Sequence, residues 1–159
     1  MRTLRSFLAL GVLALAFCFS FTGCGSGKQA SASADGIETR EVVLPDGYRV
    51  VAEIKVTAAD LTRGMMYRTE LAPGRGMLFV HSVAKKYPYW MANCKIPLDI
   101  VWMNLQKEVV EISPNTPPCP SGGQDCPRYG GNFDASWVLE LGAGEAAKHK
   151  VVAGSRIQF

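Results

Sequence analysis

Hydrophobic positions fall into three regimes along the chain. From Phe7 to Phe21 nearly every residue is apolar, interrupted only by Gly11 and Ser20 and preceded by the basic residues Arg2 and Arg5. A helix needs about 20 apolar residues to cross a hydrocarbon core. This run is shorter and ends in small residues, so residues 1–23 read as an export signal. Residues 24–36 lose all apolar periodicity and are small and polar. Such a composition buries too little surface to offset its ordering entropy, which predicts a flexible tether with no strand. From residue 37 to 159, short apolar runs alternate with turn signals over a length that suits one core.

Within that last regime, Glu38 to Leu44 and Tyr48 to Val56 flank Pro45-Asp46-Gly47. Proline presets φ and glycine accepts positive φ, so a hairpin is predicted there. Its second strand alternates Val50, Ala52, Ile54 and Val56 with a more polar set, the period of a half-buried strand. Thr57 to Gly64 carries helix signals: Thr57 as cap, Asp60 three residues on, Gly64 as stop. Further strands are predicted at Met77–Val80, Tyr87–Met91, Leu98–Asn104, Lys107–Ile112, Trp137–Leu141 and Arg156–Phe159, with a brief helix over Gly144–Lys150. Pro88 places the Tyr87–Met91 strand at an edge. Ser113 to Asn132 is rich in proline and glycine and is predicted as one long loop. Many short strands with one or two short helices predict a mainly β domain, a compact β-sandwich or partly open barrel.

Charge changes little. The chain carries 17 basic and 14 acidic residues; taking away Arg2 and Arg5 leaves 15 against 14. With no clustered Lys/Arg motif, nucleic acid is not an expected partner. The cysteines say more. Phe21-Thr22-Gly23-Cys24 resembles a bacterial lipobox, which makes Cys24 the lipid anchor and Cys18 part of the discarded signal. Acyl chains contribute about 0.8 kcal/mol per buried methylene, enough for multiple chains to hold a protein on a membrane. By the same resemblance, Gly25 in place of aspartate does not suggest inner-membrane retention, so the expected location is the outer membrane, facing the periplasm. Cys119 and Cys126 share the proline-glycine loop of an exported chain, and a disulfide between them is expected. Cys94 is then left unpaired, either as a small apolar filler or as a reactive thiol.

Four blocks, Gly64-Met65-Met66-Tyr67-Arg68, Arg75 to Val80, Trp90-Met91-Ala92-Asn93 and Ile96-Pro97-Leu98-Asp99-Ile100, occur in this order. With Pro118-Cys119, Cys126-Pro127 and Val138 to Gly144, they resemble the bacterial and archaeal family called domain of unknown function 192 across nearly all of residues 40–159. Two departures stand out: Cys94 where threonine is commoner, and Met65 where leucine is. The resemblance implies a compact, mainly β fold, often exported and sometimes lipid-anchored, and no established reaction.

Three site readings remain. In the first, Arg68, Trp90, Asn93 and Asp99 line a groove for a small molecule or envelope glycan, an apolar wall with a few placed polar groups. Strand alternation turns Trp90 away from Tyr89 and Met91, so only one of those two sets lines it. Against this, Trp90 and Met91 are core supports, Arg68 pairs with Asp99, and Asn93 closes a turn. In the second, Met65, Met66, Met77, Met91 and Met103 offer thioethers to Cu(I), though methionines spread through apolar strands also serve as core filler. In the third, Cys94, His81 and Asp99 act as nucleophile, base and orienter, an arrangement defined by geometry that sequence does not give. The expectation carried forward is a monomeric, lipid-anchored envelope protein acting as a binding or accessory module, with no cofactor.

Overall fold

The structure, a computed structural model, describes residues 31–32, 36–119, 123 and 125–159. The export signal and Cys24 lie outside the described residues. The elements run β1 (Ser31–Ala32), β2 (Glu38–Val43), β3 (Arg49–Lys55), α1 (Ala58–Arg63), β4 (Arg75–Lys86), β5 (Tyr89–Trp90), β6 (Leu98–Met103), β7 (Val109–Thr116), β8 (Arg128–Tyr129), β9 (Asp134–Gly142) and α2 (Glu145–Lys148). One mixed sheet has the order β1-β2-β3-β4-β9-β6-β7, and β5 and β8 form a second, small sheet. The predicted mainly β class with two short helices holds.

The hairpin forms where the turn chemistry puts it. Val43 pairs with Arg49, the Tyr48 amide donates to Asp46 Oδ1 at 3.0 Å, and Gly47 takes φ +88°. β3 then runs parallel to β4, which demands a crossover, and α1 lies in it. Thr57 Oγ1 accepts the Asp60 amide at 3.1 Å and donates to the Asp60 carboxylate at 2.6 Å, while the Gly64 amide closes on the Asp60 carbonyl.

All six residues of β6 are buried, so neither face of the sheet is left to water at this strand. One face carries Leu78, Val101, Met103, Leu139 and Leu141, joined by Val42 and Val50 from the hairpin and Ala146 from α2. The other carries Met65, Met77, Phe79, Leu98, Ile100, Trp102 and Val138, and β5 and β8 add Tyr89 and Tyr129 to it. The sheet is open, with β1 and β7 at its two edges. The C-terminal segment spans from β2 to the β6–β7 turn by isolated bridges, Val43 to Gln158 and Glu108 to Arg156.

Four local expectations are corrected. Ser31–Ala32, inside the predicted tether, pairs with Glu38 and Thr39, because backbone pairing needs no apolar side chain. Arg156–Phe159 makes bridges only. The predicted loop from Ser113 keeps strand pairing to Thr116 through Pro114, tolerated because β7 is the outermost strand. Near its other end the same loop contains β8, paired with β5, and of the predicted Tyr87–Met91 strand only Tyr89–Trp90 is ladder.

Candidate functional site

The crossover helix α1 stands off the sheet, and cavities open around it. On one side is a cleft of about 380 Å³ lined by Glu53, Lys55, Asp60, Arg63, Tyr67 and Arg68 among others. Strand alternation in β3 sends Glu53 and Lys55 to this side while Val50 and Ala52 enter the opposite core. Arg68 grips Glu53 with both guanidinium nitrogens at 2.7 Å, and Lys55 Nζ lies 3.1 Å from the same carboxylate. Burial pushes the Glu53 carboxyl up, but the hydrogen bonds from Arg68 and Lys55 outweigh it and hold the group below its usual range.

Below Gly64 the cleft adjoins a recess of about 30 Å³, walled in part by Met65, Phe79, Tyr89, Cys94 and Glu140. The two spaces share Arg63, Gly64 and Met66. Glu140 lies on β9, opposite Met77 of β4 and Ile100 of β6, so it sits in the middle of the sheet. It is 4% exposed and its Oε2 has no hydrogen-bond partner. Burial pushes its carboxyl up to about 8, with the charge of Arg68 acting the other way. A carboxyl so placed holds its proton at neutral pH.

A third space, about 210 Å³, lies on the far side of α1 between Leu61, Thr62, His81, Tyr87, Trp90 and Arg128. It shares Leu61, Thr62, Tyr89 and Trp90 with the recess. His81 stacks on Tyr87 with ring centres 3.7 Å apart and hydrogen-bonds Tyr89 at 3.1 Å. Burial lowers the His81 pKa. Arg128 lies over the Trp90 ring, 4.6 Å from its centre, because β8 pairs with β5. That pairing depends on Gly130 and Gly131: a Cβ on Gly130 would overlap the Trp102 ring, and one on Gly131 would stand 2.6 Å from the Pro88 nitrogen.

Of the residues singled out from sequence, Arg68 and Trp90 both line these cavities, on opposite sides of α1. Asn93 is a corner: at φ +57° its amide donates to the Cys119 carbonyl and its carbonyl accepts from the Tyr67 amide, both at 2.9 Å. Asp99 faces away. It is fully buried on the other side of the sheet, where Oδ1 accepts the Asn115 amide at 2.7 Å and Oδ2 the Ala146 amide at 2.8 Å. Arg68 therefore pairs with Glu53, not with Asp99.

The Cys94, His81 and Asp99 trio is not assembled, since Asp99 is on the opposite face. Burial, then the charge of Glu140, push the Cys94 thiol up to about 12, the reverse of an activated nucleophile. Cys119 and Cys126 form the expected disulfide, with Cα atoms 5.9 Å apart. Met65, Met77 and Met91 pack in one core cluster and Met103 in the other, and no group of three or more His, Cys, Asp or Glu able to hold a metal occurs among the described residues.

Glu53 and Glu140 are the site residues that the sequence reading missed. Glu140 did carry a signal: it is the only charged residue in the apolar run Trp137–Leu141, at a position in phase with Val138. Glu53 is masked by the regular alternation of its strand.

A mainly β domain with a ligand-sized cleft around one short crossover helix is the class that fold and site define. The chain belongs to the family DUF192, described as an uncharacterised ACR, whose profile matches residues 41–159. Crystal structures that resemble it include two from bacteria. A protein of unknown function from Novosphingobium aromaticivorans has a TM-score of 0.71 and 28% identity, covering 84% of this chain and 94% of the other. A candidate transcription regulator from Sinorhizobium meliloti has a TM-score of 0.64 and 26% identity, covering 74% and 89%. No curated protein sequence matches the chain.

Proposed function

We propose that this protein is a lipid-anchored binding module of the bacterial envelope, held through Cys24 on the outer membrane facing the periplasm, which takes a small molecule or glycan fragment in the cleft around α1. The observation that carries the reading is the run of three adjoining cavities with a paired charge cluster, Glu53, Lys55 and Arg68, at one end and an aromatic wall at the other. An apolar wall with a few fixed polar groups is the general make-up of small-molecule sites. The lipobox-like Phe21-Thr22-Gly23-Cys24 supports the anchor, and the Cys119–Cys126 disulfide fits an oxidising compartment. The relative from Sinorhizobium meliloti is described only as a candidate transcription regulator, and a balance of 15 basic to 14 acidic residues beyond the signal favours a small ligand over nucleic acid.

The test is a ligand screen of envelope monosaccharides and lipid headgroups by saturation-transfer NMR, repeated on Trp90→Ala. Binding is expected to vanish in the variant while its melting temperature stays within a few degrees. Unfolding of Trp90→Ala would make Trp90 a structural residue, and unchanged binding would move the site elsewhere.

A further inference from the structure

Three buried side-chain atoms among the described residues lack a hydrogen-bond partner: Trp137 Nε1, His149 Nε2 and Glu140 Oε2. His149 Nε2 stands 3.3 Å from the Glu145 carboxylate. Glu140 differs from both in lining a cavity that adjoins open clefts on two sides. A buried polar group left unpaired is costly, so an Oε2 lining a cavity points to a partner from outside the fold, a water or a ligand group.

We propose that the recess is a subsite for one hydroxyl group of an uncharged polyhydroxylated ligand, a sugar or similar polyol, with the Glu140 carboxyl as its recognition group. The inference rests on the cleft being a binding site and adds the class of ligand.

Size sets the first limit. A recess of about 30 Å³ exceeds what one water needs and is far smaller than the cleft, so it admits a hydroxyl group and not a sugar ring. Charge sets the second. Arg68 and Lys55 both lie on the cleft side, sharing the single carboxylate of Glu53. An ammonium in the recess would meet their field and would have to displace the Glu140 proton. A ligand carboxylate would be buried among Phe79, Met65 and Cys94 with Arg68 already committed to Glu53. A hydroxyl both donates and accepts, as a protonated carboxyl does, and moves no net charge.

The walls complete the match. Trp90 and Tyr89 border both the recess and the aromatic groove, so a sugar ring could lie against an aromatic surface with one hydroxyl turned inward. Gly64 keeps the entrance open. A Cβ there would sit 3.1 Å from Phe79 and 3.9 Å from Glu140 Oε2, within the mouth of the recess.

The experiment uses the detergent-solubilised full chain and measures binding of glucose, galactose, N-acetylglucosamine and their single-deoxy analogues at millimolar concentration. At least one sugar should bind wild type, one deoxy position should abolish that binding, and Glu140→Leu should weaken it roughly tenfold or more. Glu140→Gln, which keeps an acceptor and a donor, should restore most of the affinity. Gly64→Ala should weaken binding in the same direction. If Glu140→Leu does not fold, the deoxy series on wild type and Glu140→Gln decide the matter alone.

Equal binding by Glu140→Leu would mean that the recess holds only water, overturning the role of Glu140 while leaving the cleft intact. Binding of methylammonium or acetate with no sugar binding would overturn the ligand class and again leave the cleft. Failure of every probe, with no response to Trp90→Ala, would remove both readings together.

Discussion

Asp99 and Glu140 are buried acids on adjacent strands, β6 and β9, and they meet opposite surroundings. Asp99 is saturated by two backbone amides that tie β7 and α2 to the sheet, so it is a structural clamp. Glu140 Oε2 has no such donors, and its carboxyl is raised to about 8 from a reference of 4.5. For an acid raised on folding, stability is full below the reference value and falls as pH rises toward the folded value, levelling off above it. The slope is about 1.4 kcal/mol per pH unit across that window. The titratable neighbours Cys94 and Tyr89 are themselves raised by burial and stay neutral through it. Urea denaturation of wild type at pH 5 and pH 8 should therefore show a loss that Glu140→Gln largely abolishes. An equal loss in the variant would mean that Glu140 is ionised in the fold. A single sequence shows that Glu140 is anomalous in Trp137–Leu141, but not whether a partner awaits it.

At the scale of elements, α1 was the easiest to read, because its signals are local: a threonine cap, an acid three residues on, a glycine stop. The hairpin around Pro45-Asp46-Gly47 was legible for the same reason. β5 and β8 were not. Each is two residues long, and their pairing is fixed by Cys119 meeting the Met91–Asn93 corner and by glycines lying against Trp102 and Pro88. Gly130→Ala adds a Cβ that overlaps Trp102 at a residue with φ +61°. Overpacking and the left-handed backbone together should destabilise by roughly 2–4 kcal/mol, read as a lower urea midpoint. Because β8 carries Arg128 over Trp90, the same variant should also blunt ligand binding. A silent Gly130→Ala would mean that the small sheet is not what positions the aromatic wall.

For the whole molecule, the inner strands β6 and β9 are covered on both faces. Strands covered on both faces lose the polar-apolar alternation, so Leu98–Met103 shows no pattern by which to assign Asp99 to a side. The anchor is tested at this scale: palmitate labelling should be lost in Cys24→Ala, and continued labelling would refute lipidation there. By itself the sequence determined the order of regimes, the mainly β class, the turn and helix caps, the disulfide and the family, because each depends on local composition, short-range geometry or motif order. The tertiary structure decided the parallel join of β3 to β4, the partner of Arg68 and the side on which Asp99 lies. It also decided that a carboxyl on β9 ends beside the helix between β3 and β4. Those are facts about strands distant in the chain and adjacent in space, and no local pattern encodes which neighbour a side chain will meet.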